Sequence, residues 1–214
     1  MMHAYDKIYL DKACVALGRM LDFAVYELQY DITEFFEMFL ELDMAERFEK
    51  GDVSVIVGRS GVELAYEIME KHHKDISGIR VKYAVDRSKE YWTGWALAYY
   101  QWQSALSFSE IIRCIPIKDV TALYTPYHEM DIRQFVDKMN ELYRKVNSDT
   151  NLKRIRISRG YSQRELAELS GIPVRTIQQY EQRQKNINKA SVMYLRNISK
   201  VLYCEIEDLI ELVE

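Results

Sequence analysis

The chain has 214 residues, with 29 Lys+Arg against 33 Asp+Glu and a formal net charge of −4. That length suggests one or two domains, and 48% hydrophobic with 12% aromatic residues excludes global disorder. Eight Gly and three Pro are too few for a turn-rich β-sandwich or barrel, so long helices are expected.

At the N-terminus, Asp6 and Asp11 interrupt the apolar stretch that a signal peptide would need. A first helix is predicted over Tyr5–Leu28 and a second over Thr33–Phe48, with the Asp31-x-x-Glu34 pair marking the second start. Ser60-x-x-Glu63 marks a third, Gly61–His72. Between these, Asp52–Gly58 lacks helical spacing. Gly78–Val85 alternates Ile79, Val81, Tyr83 and Val85, so each is a short strand or an extended connector. Connectors are preferred, because two short strands make a poor sheet.

A fourth helix is predicted over Lys89–Ser107, and shorter ones near Ser109–Arg113 and Lys118–Leu123. Asp131-x-x-Gln134 opens a further helix with the stripe Ile132, Phe135, Val136, Met139, Leu142, Tyr143, Val146. The fourth helix contains all three tryptophans. Trp92, Trp95, Tyr99, Trp102 and Leu106 share one face, while Tyr91 and Tyr100 project elsewhere. It reads as a buried core helix or as an aromatic surface for a partner protein, self-association or a small effector.

The polar run Asn147–Asn151 precedes a switch in charge. Residues 150–204 carry 11 bases and three acids, a net of +8; residues 205–214 carry a net of −5, and residues 1–149 a net of −7. Domains are therefore placed at 1–148, an acidic partner, effector or dimerisation body, and 149–214, a basic module. A positive segment of this size is the electrostatic footprint of phosphate-backbone binding.

Within that module, a helix ends near Gly160 and a capped helix runs Gln163–Leu169, stopped by Ser170-Gly171. A turn with Pro173 follows, and then a helix over Val174–Gln182. Leu166, Ala167, Ile172 and Ile177 are spaced to meet across a tight turn. Catalytic and metal signatures do not compete. Cys14, Cys114 and Cys204 have no metal or disulfide spacing, and His72-His73 point about 100° apart on a helix. His128-Glu129 lacks a second histidine, and Gly58–Gly61 falls short of GxSxG.

Arg156, Gly160-Tyr161-Ser162-Gln163, Leu166-Ala167, Gly171-Ile172, Thr176-Ile177 and Tyr180-Glu181 closely resemble the phage-repressor-like, or XRE, helix-turn-helix family over about Leu152–Leu209. The helical spacing upstream predicts an all-α chain with an N-terminal helical domain, and the resemblance implies that a five-helix lambda-repressor-like domain follows, with its third helix in the DNA major groove. The last two helices would be Lys189–Val201 and Glu205–Leu212. Val174, Arg175, Thr176, Gln178 and Gln179 would present the reading face. Gln163 would contact the backbone and edge bases, and Arg183, Lys185, Arg164 and Lys153, with the amides after the third helix, the phosphates. Arg156 and Glu181 match the family's structural salt bridge. Gln182-Arg183 departs from the usual Asn-Gly.

The tract Glu90–Trp102 resembles helical regions of regulators from bacterial toxin–antitoxin loci. The resulting expectation is a cytoplasmic, non-enzymatic transcriptional regulator, a repressor or an antitoxin. It would bind double-stranded DNA as a homodimer, with a toxin partner on the N-terminal body, and would need no cofactor, metal or membrane.

Overall fold

The computed structural model describes residues 3–76, 78, 81, 87–146 and 149–211, and every regular element among them is helical. The chain divides into two units, Met1–Tyr143 and Arg144–Glu214.

The first unit is organised by α1 (Leu10–Tyr26), which buries residues on most of its circumference, among them Leu10, Ala13, Leu17, Met20 and Leu21. Around it come α2 (Ile32–Leu40), α3 (Asp43–Glu49), α4 (Val53–Ile56), α5 (Gly61–Lys71) and α6 (Lys89–Ser104). Then follow α7 (Phe108–Cys114), α8 (Ile117–Ala122), a helical turn at Tyr124–Tyr127 interrupted by the extended Thr125, and α9 (Ile132–Val146).

Helices α1 and α6 touch backbone to backbone. A Cβ on Gly94 would stand 2.5 Å from the Leu17 carbonyl oxygen, and one on Gly18 would stand 2.8 Å from that of Tyr91. Small residues therefore decide which side of α6 faces the core. Gly94, Ala98, Tyr91, Leu97 and Tyr100 are buried there, while Trp92, Trp95 and Tyr99 stay half-buried. Trp102 leaves the aromatic face for the interior, donating from Nε1 to the Tyr5 carbonyl at 2.8 Å under the stacked ring of His3. The core-helix reading thus holds for one side of α6 and not for the other.

The predicted Thr33–Phe48 helix is two helices, α2 and α3, broken at Glu41–Leu42, where Leu42 is extended. In one straight helix Phe39 and Phe48, nine residues apart, would face opposite ways at 100° per residue. The break brings their ring centroids to 6.3 Å in a cluster with Phe36 and Phe108. Asp52–Gly58 is neither strand nor simple connector, for it contains α4, capped by Asp52 accepting from the Ser54 amide at 2.9 Å. Gly78–Val85 lies, apart from Gly78 and Val81, outside the described residues, as do Asn147 and Ser148.

Helix α1 begins later than Tyr5, after a 3-10 turn at Lys7–Tyr9. Helix α6 stops at Ser104 because Ala105 turns left-handed, and α7 starts at a Ser107/Glu110 capping box rather than at Ser109. Ser60 and Ser162 form complete boxes with their glutamates. Asp31 and Asp131 cap through the amide two residues on, and their carboxylates also meet Lys118 and Arg133.

The second unit holds α10 (Asn151–Ser158), α11 (Gln163–Ser170), α12 (Val174–Glu181), α13 (Val192–Leu202) and α14 (Ile206–Leu209). They enclose Leu152, Leu166, Ala167, Ile172, Ile177, Tyr180, Ile198 and Leu202, with Tyr161 packed against the edge. Two predicted bounds change. Ile187–Lys189 is a separate 3-10 turn, because Ser191 rather than Lys189 starts α13 by capping the Tyr194 amide. Helix α14 ends at Leu209, since Ile210 is extended and the chain turns to bond elsewhere; Leu212 lies outside the described residues.

Candidate nucleic-acid interface

Ser162 fixes the start of α11: its Oγ accepts from the Glu165 amide at 3.1 Å, and the Glu165 carboxylate accepts from the Ser162 amide at 2.7 Å. Those bonds hold the Glu165 carboxyl below its ordinary pKa. The helix ends at Gly171 with φ 69°, a left-handed position where a Cβ costs about 1 kcal/mol or more. Pro173 then sets the entry to α12. Leu166, Ala167, Ile172 and Ile177 are buried in one cluster, so the turn between α11 and α12 is fixed from inside.

With Ile177 and Tyr180 pointing inward, α12 turns Val174 and Arg175 to solvent and leaves Thr176, Gln178 and Gln179 half-buried. Arg164 and Lys185 are exposed, and among the described residues neither they nor Arg175 enters an ion pair. A short helix therefore shows a guanidinium, two amides and an apolar side chain, the donor and acceptor set that reads base edges.

Beneath that face is a buried polar network. Arg156 donates from Nε to Glu181 Oε1 at 2.6 Å, from Nη2 to Oε2 at 2.9 Å, and from Nη1 to the Tyr161 carbonyl at 2.6 Å. Hydrogen bonding to Glu181 lifts the Arg156 pKa above its ordinary value. The pair joins α10 to the end of α12.

Residues 152–209 match the family model described as Helix-turn-helix. The second unit carries an XRE-family helix-turn-helix domain. No curated protein and no solved structure matches the chain. The helix-turn-helix domain makes the protein a DNA-binding transcription regulator.

The helix-turn-helix domain places the predicted residues in three settings. Val174, Arg175, Thr176, Gln178 and Gln179 lie together on α12. Gln163 is tied to that helix from α11: its Nε2 donates to Glu181 Oε2 at 2.7 Å, and its Oε1 accepts from Gln178 at 3.4 Å. One N–H of the Gln163 amide thus serves the network beneath the face. Sequence reasoning missed this tie, although Gln163 and Glu181 were both singled out, because 18 residues separate them.

Lys153 and Arg183 differ from Arg175 in carrying counter-charges. Lys153 reaches Asp149 at 2.6 Å, and Arg183 reaches Glu211 at 3.2 Å. Four amides directly after α12 are likewise occupied. Those of Gln182, Arg183, Gln184 and Lys185 donate to the carbonyls of Gln178, Tyr180, Gln179 and Gln179. These four amides close the end of α12. Arg183 stands at φ 54°, so where the family usually has Asn-Gly this chain places a side chain in the left-handed region.

Glu211, which the sequence did not single out, also accepts from the Asn151 amide at 2.5 Å and exchanges backbone bonds with the Asn188 side chain at 2.7 and 2.9 Å. Among the described residues no group of three His, Cys, Asp or Glu could hold a metal ion, and no helix is long and apolar enough to cross a membrane. His72 instead caps α5, its Nε2 2.9 Å from the Met38 carbonyl oxygen.

Proposed function

We propose that the protein is a cytoplasmic, non-enzymatic transcriptional repressor that reads a two-fold-related operator as a homodimer, with α12 in the major groove. The observation that carries this reading is the α12 face itself: Arg175 is exposed and unpaired among the described residues, beside Val174, Gln178 and Gln179. Arg175 suits bidentate contact with guanine, Gln178 and Gln179 suit adenine, and Val174 suits a thymine methyl. Each good bidentate pair supplies about 1–3 kcal/mol of discrimination. One short helix reads few base pairs, so operator affinity calls for two copies with half-sites about 34 Å apart.

Selection of bound sequences from a random DNA pool tests the proposal. Enriched sites should be inverted repeats whose half-sites lie one helical turn apart. Recovery of sequences without a shared motif would defeat it.

A second reading is an antitoxin that neutralises a toxin through residues 1–148 and autoregulates its operon. The net charge of −7 over residues 1–149 favours it, since that body would repel DNA and suits a basic protein partner. Affinity capture from the native host separates the two: a stoichiometric partner encoded beside this gene supports the antitoxin, and none supports the plain repressor.

A further inference from the structure

The half-exposed side of α6 borders an open cleft of about 520 Å³ in the first unit, inside the span of small-molecule sites, about 300–1,000 Å³. Trp92, Trp95, Tyr124 and Tyr127 contribute the large aromatic part of its lining. These rings are braced. Trp92 meets Tyr124 edge-on at 5.6 Å and the buried Phe135 at 5.2 Å, Tyr124 stacks on His128 at 4.0 Å, and Trp95 stacks on Tyr99 at 6.0 Å. Rings held by such contacts form a preorganised aromatic lining, which lowers the ordering cost of binding a flat ligand.

Charge in the lining is uneven. The Asp131 carboxylate caps α9 and is held by Arg133 at 3.1 and 3.2 Å. Arg87 lies over the Tyr91 ring, 4.8 Å from its centroid, and no acidic residue among those described pairs with it. Arg87 thus lines the cleft as a cation without an acidic partner among the described residues, its guanidinium over the Tyr91 ring.

We propose that this cleft binds a planar aromatic molecule carrying one anionic group, the ring packing on the aromatic lining that includes Trp92, Trp95, Tyr124 and Tyr127 and the anion meeting Arg87. The site is independent of the DNA-reading face, and its test needs no DNA.

Isothermal titration calorimetry of the full chain compares three probes of one ring size: 2-naphthoate, the neutral 2-naphthamide and a 2-naphthyl trimethylammonium. The naphthoate should bind one-to-one and roughly tenfold or more tighter than the amide, because its hydrogen bond to Arg87 is charge-assisted. Arg87→Met should bring the naphthoate down to the amide's affinity, and Trp95→Leu should weaken both. Arg87 is exposed, so the first variant keeps the comparison decisive even if Trp95→Leu fails to fold. No heat with any probe, equal affinities, preference for the ammonium, or an unchanged ratio in Arg87→Met would each overturn the proposal.

Discussion

Arg156 and Glu181, 25 residues apart, are joined by two hydrogen bonds of 2.6 and 2.9 Å in the interior of the helix-turn-helix domain, and Gln163 adds a third bond to the same carboxylate. The C-terminal end of α12 is thereby held from below by the residue that terminates it.

Removing one partner of such a buried pair leaves the other charged and unsatisfied, which costs about 3–5 kcal/mol. Arg156→Ala should therefore unfold the C-terminal domain at much lower urea. Arg156→Lys should rescue it only partly, because an ammonium cannot form the parallel pair of bonds. Urea denaturation followed by circular dichroism measures both.

On the reading face the cost falls on binding rather than on folding. Arg175→Ala combined with Gln179→Ala should abolish specific operator shifts while keeping native helicity. Unchanged gel shifts with native circular dichroism would refute the assignment of α12.

The cations around the face should differ in weight. Lys185→Ala should lower the slope of log affinity against log salt by about one, as expected for a lost phosphate contact. Arg183→Ala should lower it by less, since Glu211 already neutralises that guanidinium in the free protein. Glu211→Gln, which keeps an acceptor for the Asn151 amide, should steepen the slope.

Glu49 gives the N-terminal unit a pH dependence of uncommon sign. Burial raises its carboxyl pKa from 4.5 to about 6 despite the amide of Phe108 donating to it. Between those values the folded chain binds more protons than the unfolded one, so this group adds stability as pH falls from above 6 to 4.5. Glu49→Gln should flatten that trend and raise stability at pH near 8 by on the order of 1 kcal/mol, solvent screening included. Thermal melts across pH check the sign.

Gly94→Ala should destabilise the same unit. The added methyl would meet the Leu17 carbonyl oxygen at 2.5 Å, and backbone on both sides leaves nothing flexible to yield. Overpacking of this kind costs about 1–3 kcal/mol, occasionally more. A melting temperature at or above that of the native sequence would contradict the close crossing of α1 and α6.

What could be read in advance followed the range of the interactions. Ser60 and Ser162 with their glutamates are local devices, and they cap α5 and α11 as expected. Gly171 was legible for the same reason, and the Arg156–Glu181 pair was legible only through the family pattern. The break at Glu41–Leu42 was hidden because it serves Phe108, 60 residues beyond Phe48. The returns of Glu211 to Asn151 and Arg183, and of Gln163 to Glu181, were hidden likewise, since a side chain's partner across a fold leaves no periodicity in its own segment.

Trp92, Trp95 and Trp102 are the chain's three tryptophans, and all sit on α6 in the first unit. Indole emission is consequently blind to the helix-turn-helix domain, whereas far-ultraviolet ellipticity sums over both units. Melts recorded by the two signals on one sample would coincide if the units unfold together and diverge if they do not. The placement of three side chains thus gives this protein a native probe for whether its halves share a fate.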